Sequence, residues 1–417
     1  MSKVPLPFAA PTVTAKIVDG ARWGDPGSGS APGAGRGVLG STAAVLFFDW
    51  PGQVRLFFDW PGQVRLGRRG RGTSQAVETV VITGASSGVG RAAALAFARA
   101  GARLVLSSRS APALEQVAAE CRALRAEAHA RAEAATGNAA QAAAQGRAEA
   151  GAGVKAGGPA GSRVEGGARA QGENAGGVTV VVADVTAPET VEAVAAAAGD
   201  RIDVWVHTAA VMAYGRFEDV PAEVFDQVVA TDLLGAATVA RVALKRFRRQ
   251  GPKRGRGVLI FGGSLLGTVV TPYTSSYVTS KWGLRALVRA LRLETRDAPA
   301  IHVCLVSPGA VDTPIYRNAA NFAGRIGRPP PPIDRAEKVA AAIVRCARRP
   351  RGTVTVGAAN KLILFGFLAT PPLYDFLVGP LMRLAGLSRE KVAPHPGNVF
   401  APPPPSAESV RGGRRRR

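Results

Sequence analysis

Residues 77–90 read Val77-Glu-Thr-Val-Val-Ile-Thr83-Gly84-Ala-Ser86-Ser87-Gly88-Val89-Gly90, an apolar run that stops in a turn holding three glycines. The run, residues 77–82, is short, β-branched and continuous, which suits a strand buried on both faces. Residues 91–100 carry a helical pattern closed by Gly101, and residues 103–107 return to a β run. A strand, a tight turn and a helix start in that order aim unpaired backbone N–H groups and the positive helix end at one point. The result is an anion cradle, and glycine lets a phosphate approach its backbone closely.

Working outward, the alternation continues. Residues 178–183 read as a third strand ending at Asp184, residues 191–198 as a helix, and residues 203–207 as a fourth strand. A long helix over residues 221–249 precedes a strand at 257–261. Residues 301–306 form another β run before Ser307-Pro308-Gly309, followed by a helix at 334–348 and a last strand at 353–356. Alternating β and α predicts an α/β fold: a doubly wound, Rossmann-like parallel sheet of about seven strands with helices on both faces. Ligands then sit at the carboxyl ends of the strands.

Between the last two long β runs lies Tyr277-Val-Thr-Ser-Lys281. With Leu284, Leu287, Val288 and Leu291 it has helical spacing, so the phenol and the ammonium share a face. A nearby ammonium favours the phenolate and predicts a tyrosine pKa below its ordinary value of about 10. Such a hydroxyl can serve as an acid/base near neutral pH.

The ends have a different texture. Residues 1–75 lack periodicity, carry Gly/Pro/Ser clusters and contain a ten-residue tandem duplication, residues 47–56 and 57–66; a disordered extension is expected. Residues 126–177 are Ala/Gly/Gln/Glu-rich, a low-complexity insertion into the domain spanning residues 76–357, either disordered or a fraying helix. Residues 358–400 are apolar and interrupted by proline, fit for a lid, a subunit interface or a membrane contact. Residues 401–417, ending in four arginines, read as a disordered basic tail.

Lys and Arg exceed Asp and Glu by 53 to 30, a net +23, which favours loose attraction to nucleic acid or anionic membrane. The arginines cluster outside the predicted core without interleaved aromatics, so no specific nucleic-acid site is expected. Cys121, Cys304 and Cys346 form no Cys-x-x-Cys pair, which suits a reducing compartment and argues against structural zinc; no metal is expected. No basic start followed by an apolar core marks a signal peptide. The expectation is a cytoplasmic protein, with the C-terminal apolar segment as the place for any peripheral membrane association.

Taken in order, the glycine turn, Asp184 after the third strand, Ser264 after the fifth, Tyr277 with Lys281, and Pro308-Gly309 after the sixth resemble the short-chain dehydrogenase/reductase superfamily. The resemblance spans residues 77–357 apart from the insertion. It implies an NAD(P)-dependent oxidoreductase interconverting an alcohol and a carbonyl of a small-molecule substrate, and a homo-oligomer. By the same resemblance Gly84, Gly88 and Gly90 hold the dinucleotide pyrophosphate and Asp184 contacts the adenine end. Thr83, Ser86, Ser87, Val89, Val185, Ala209, Pro308, Gly309, Val311 and Thr313 join them as cofactor contacts. Ser264 bonds the substrate oxygen, Tyr277 exchanges a proton with it, and Lys281 lowers the tyrosine pKa and binds the nicotinamide ribose.

Cofactor choice turns on the end of the second strand. An acid there holds ribose hydroxyls, whereas an arginine accommodates a 2′-phosphate. The chain has Leu106-Ser107-Ser108-Arg109 and no acid until Glu115, which favours NADP over NAD.

Two positions depart from the family pattern. Where the family has Asn-Asn-Ala-Gly the chain has His207-Thr-Ala209-Ala210, and where the family has a catalytic Asn the chain has Asp232. An ionised Asp accepts hydrogen bonds but donates none, and its charge opposes a phenolate. These departures keep open an alternative, a dinucleotide-binding sensor or scaffold with weak or no catalysis. His207 is a substitute acid/base on one reading and a packed strand-end residue on the other.

Overall fold

The computed structural model describes residues 78–150, 177–251 and 256–412, with the side chains of residues 132–150 excepted. The N-terminal extension with its duplication, residues 151–176 of the insertion and residues 413–417 lie outside the described residues.

Strand β1 (Thr79–Thr83) is buried at every position. It lies between β2 (Arg103–Ser108) and β4 (Val204–His207); beyond β2 comes β3 (Val178–Val182), and beyond β4 come β5 (Gly257–Gly262), β6 (Ile301–Pro308) and β7 (Thr353–Val356). All seven strands run parallel in the order 3-2-1-4-5-6-7. Strand order reverses between β1 and β4, which opens a crevice at their carboxyl ends. The register puts Thr83 beside Ser107 on one side and beside His207 on the other, so the glycine turn leaves the sheet at that crevice.

The two faces explain the continuous apolar strands. Val80 and Ile82 face a core built with α1 (Gly88–Arg99), α2 (Ala111–Ala150) and α8 (Ala336–Arg348), where they meet Phe97, Leu114 and Ile343. Val81 points the other way, toward α3 (Pro188–Ala197), α5 (Gly235–Gln250) and α6 (Ser275–Glu294), among Trp205, Val239, Phe247 and Leu284. With both faces covered, alternation is lost and only burial remains.

Three segments differ from the sequence reading. The helix predicted over residues 221–249 is α4 (Ala222–Val229) and α5 joined through a π-helical turn, Ala230–Leu234. By length and composition this run, Ala222–Gln250, could cross a bilayer, yet half of its most apolar window is buried, with Val224, Val228 and Val239 in the core. The first part of the predicted insertion, residues 126–150, continues α2 as helix. Its Ala, Glu, Gln and Arg residues favour helix on propensity even where the pattern is not amphipathic.

The third difference is at the C-terminus. After a short helix α7 (Ile315–Asn318), the chain past β7 forms α9 (Asn360–Ala369) and α10 (Pro371–Leu381), then a strand at Leu387–Lys391 antiparallel to Arg325–Gly327. It then returns over the carboxyl edge of the sheet, with His395 bridging Asn321. Residues 401–412 are therefore not a free tail. The Gly88 N–H donates to Ser409 O at 2.8 Å, Arg91 donates to Glu408 O at 3.1 Å, and Arg411 pairs with Glu337 at 2.9 Å. The Gly88 N–H, at the start of α1, has no helical partner, and this segment supplies its acceptor.

Candidate active site

Each glycine of the turn has a stated reason. Gly84 has φ +83° and Gly88 φ +51°, the left-handed region where a side chain is strained. A Cβ on Gly90 would lie 2.0 Å from Gly84 O, so α1 and β1 pack there without room for a methyl. The turn forms one end of a cavity of about 750 Å³, within the range of small-molecule sites.

The cavity gathers residues far apart in sequence. Gly84, Ser86, Ser87, Gly88, Val89 and Gly90 line it at the turn, and Arg109, Asp184 and Val185 flank them from the ends of β2 and β3. Ala209 lies between, and Ser264, Tyr277 and Lys281 close the opposite end. Pro308, Gly309, Val311 and Thr313 form the wall after β6. Two predicted residues are not in the lining. Thr83 is buried inside β1 with its hydroxyl 2.9 Å from His207 Nδ1, and Asp232, wholly buried, stands behind Lys281.

Helix α6 presents Tyr277 and Lys281 one turn apart, with Lys281 Nζ 5.2 Å from the tyrosine ring centre. The π turn brings Asp232 to them: its Oδ2 lies 3.2 Å from Lys281 Nζ, and its Oδ1 accepts the Val211 N–H at 2.8 Å. One extra residue in a helical turn redirects a side chain, and such turns recur at functional sites. Lys281 Nζ also lies 3.5 Å from Gly262 O. Ser264 accepts the Leu266 N–H at 3.1 Å, which leaves its own proton to donate into the cavity.

Burial changes the electrostatics expected from spacing. It pushes the Tyr277 hydroxyl above its ordinary value; Lys281 pulls it down, Asp232 pushes it up, and a hydrogen bond with Ser264 lowers it, but desolvation wins. The predicted depression of the tyrosine pKa is thus corrected: burial outweighs the pull of Lys281, which Asp232 also opposes. Burial would lower Lys281, yet Asp232 and Tyr277 outweigh it and hold the amine above its usual range, charged. His207 is 2 % exposed, packs edge-on to Phe261 at 5.8 Å, and is pushed down to about 3 by burial and Lys281. It is a packed, neutral residue, not an acid/base.

The other end of the cavity holds groups that sequence reasoning missed. Arg109 donates to Val399 O at 3.0 Å and Asn398 O at 2.6 Å, and Ser86 donates to Glu408 Oε1 at 3.1 Å. Glu408 and Asn398 line the cavity together with Pro402 and Pro403. Burial pushes the Glu408 carboxyl up, opposed by Ser110, Ser86 and the guanidiniums of Arg109 and Arg91. No local signal marks these positions; they lie some 300 residues from the turn they touch. The roof is apolar: Leu362 of α9 and Leu373, Tyr374, Leu377, Val378 and Leu381 of α10 line the cavity, several of them also exposed, while Phe365, Phe376 and Leu384 are exposed away from it.

The short chain dehydrogenase family profile matches residues 78–141 and 134–323, most of the domain that carries this geometry. The chain belongs to the short-chain dehydrogenase family. This dehydrogenase is 27 % identical over 317 residues to an uncharacterized oxidoreductase, YxnA, of Bacillus subtilis, covering 73 % of this chain and 72 % of that one. It is also 27 % identical to the D-beta-hydroxybutyrate dehydrogenase of Rhizobium meliloti, over 57 % of this chain and 73 % of the relative. The sepiapterin reductase of Chlorobaculum tepidum is 27 % identical over 66 % of this chain and 92 % of its own. A Burkholderia cenocepacia short chain dehydrogenase solved with NADP superposes with a TM-score of 0.50 at 20 % identity, covering 72 % of this chain and 97 % of that one, which speaks for the fold.

The family's cofactor is a nicotinamide dinucleotide, NADP or NAD, and the residues of this dehydrogenase fit one. Gly84 and Gly90 let the turn close against Ala209, Thr208 and its own backbone with no room for a Cβ, and the cavity runs from that turn to Tyr277 and Lys281. The chain is an oxidoreductase of this family.

Proposed function

We propose that this oxidoreductase interconverts an alcohol and a carbonyl, with Tyr277 as the acid/base. The observation that carries the reading is a single cavity in which Ser264, Tyr277 and Lys281 face the glycine cradle. When bound, the dinucleotide supplies or accepts the hydride. The chain's own groups act on the oxygen. Ser264, with its acceptor side engaged by Leu266, donates to the substrate oxygen, and Tyr277 donates its proton as charge develops there. Lys281, held charged by Asp232, stabilises the phenolate left behind and offers its remaining protons to a ribose. Asp232 is a positioning residue for that amine.

The raised Tyr277 value gives the two directions different pH dependence. Carbonyl reduction needs the protonated phenol, so it persists through neutral pH; alcohol oxidation needs the phenolate, so it rises with alkalinity. The apolar roof of α10 favours an apolar group beside the reacting carbon. Arg109 is the residue that would meet the 2′-phosphate of NADP. The exposed apolar side of α9 and α10 is where a subunit or lipid contact would be made.

The test is turnover of a panel of aldehydes and ketones with NADPH and NADH, in the native chain and in Tyr277→Phe. Turnover that the substitution abolishes is the expected result; equal activity in the variant removes the mechanism. Dinucleotide binding without turnover on any substrate would favour a sensor instead.

A further inference from the structure

Glu408 is 7 % exposed and lines the cavity; its Oε1 takes the Ser86 hydroxyl, the Ser110 side chain supports the carboxylate, and Oε2 has no hydrogen-bond partner of its own. A buried acceptor left open is costly unless a ligand completes it. The segment that carries it is anchored by backbone contacts on both sides. Gly88 N–H holds Ser409 O and Arg91 holds Glu408 O, so the carboxylate is presented rather than adrift.

Its position is chemically telling. Ser86 and Arg109 sit at the ends of β1 and β2, beside Asp184 at the end of β3, the end of the cavity remote from Tyr277. There the chain lacks an acid on β2, and the arginine that could take a 2′-phosphate has both ends of its guanidinium engaged by Asn398 O and Val399 O. An anionic acceptor suits a hydroxyl donor and repels a phosphate.

Resting on the dinucleotide reading above, we infer that residues 398–412 are a strap that sets cofactor specificity, with Glu408 accepting from a ribose hydroxyl. With the strap seated, a dinucleotide with a free 2′-hydroxyl completes Glu408, its pyrophosphate meeting the turn amides other than that of Gly88, which Ser409 O holds. A 2′-phosphate finds Glu408 in its way and Arg109 occupied, and it binds only by displacing the strap and freeing Arg109. Arg109 and Glu408 thus oppose each other at one position of the ligand.

Affinities of NADH and NADPH for the full chain, measured by calorimetry for the native protein, Glu408→Gln and Glu408→Ala, test this. Glu408→Ala should raise the NADPH-to-NADH affinity ratio at least tenfold, by weakening NADH and strengthening NADPH; Glu408→Gln, which keeps an acceptor oxygen but loses the charge, should raise it chiefly by strengthening NADPH. Hydrogen exchange in the native protein gives a second readout that needs no variant: NADH should slow exchange of the amides of residues 398–412 and NADPH should speed it. A ratio unchanged within twofold in both variants, or identical strap exchange with the two dinucleotides, would overturn the inference while leaving the dehydrogenase reading standing. Binding of neither dinucleotide to the native chain would overturn both.

Discussion

The two ends of the cavity are built in opposite ways. At the catalytic end Ser264, Tyr277, Lys281 and Asp232 stand on or beside β5, α6 and the π turn, elements adjacent in the fold and short-range in sequence. At the other end the groups that a dinucleotide phosphate or ribose would meet are covered by a segment from the far C-terminus, through Glu408, Ser409, Asn398 and Val399. On the proposed reading the first end serves the chemistry and the second selects the ligand. Substitutions of Ser264 or Tyr277 should change rates with little effect on dinucleotide affinity; substitutions at the second end should do the reverse.

The largest expected effect is at Tyr277. Replacement by Phe should lower kcat by about a thousandfold, within the span for loss of a general acid/base, with dinucleotide affinity changed by less than about threefold. Steady-state rates beside calorimetry check it; a parallel loss of affinity would blur the division between the ends. Gly90→Ala, at the binding end, should act conversely. Its Cβ would meet Gly84 O at 2.0 Å, and overpacking of that kind costs about 1–3 kcal/mol of stability. The backbone shift that relieves it moves the turn amides, so dinucleotide affinity should fall about tenfold or more. Affinity equal to the native chain would mean the cradle tolerates what the geometry forbids.

Asp232→Asn sharpens the account of the catalytic end. Removing the charge that pushes Tyr277 up should move the rise of alcohol oxidation to lower pH and change kcat by about tenfold or less. An unshifted profile would mean that Asp232 does not act on the tyrosine. The smallest effect belongs to His207, between the two ends. Its folded pKa is depressed to about 3, so the unfolded chain binds the proton first and stability falls as pH drops below about 6.5. The loss should approach about 1.4 kcal/mol per pH unit, and His207→Asn should flatten that limb in denaturant titrations without changing stability at neutral pH by this route.

Much of this was readable in the chain. The β-branched run before Gly84 and the regular return of β after α follow from local burial and turn chemistry, and they give all seven strands in order. That Tyr277 and Lys281 share a helix face was legible from helical spacing, whereas Ser264 was singled out only through the family resemblance; the structure brings all three to one cavity. The sign of the Tyr277 shift was not, since desolvation depends on everything packed around the ring. Helix α2 beyond residue 126 was half legible: composition favoured helix, but apolar periodicity, the stronger signal, was missing there.

The strap was illegible for a different reason. Residues 398–412 are rich in proline and poor in periodicity, the signature of a free tail, and their order comes from acceptors they lend to α1 and to Arg109. Local sequence determined the sheet, the cradle and the helix that pairs a phenol with an ammonium, because hydrophobic period, glycine conformation and helical pitch act over a few residues. Tertiary structure alone decided where Asp232 sits, how strongly Tyr277 holds its proton and which carboxylate faces the adenosine end. Those depend on contacts and burial between segments up to 322 residues apart, which no local pattern encodes.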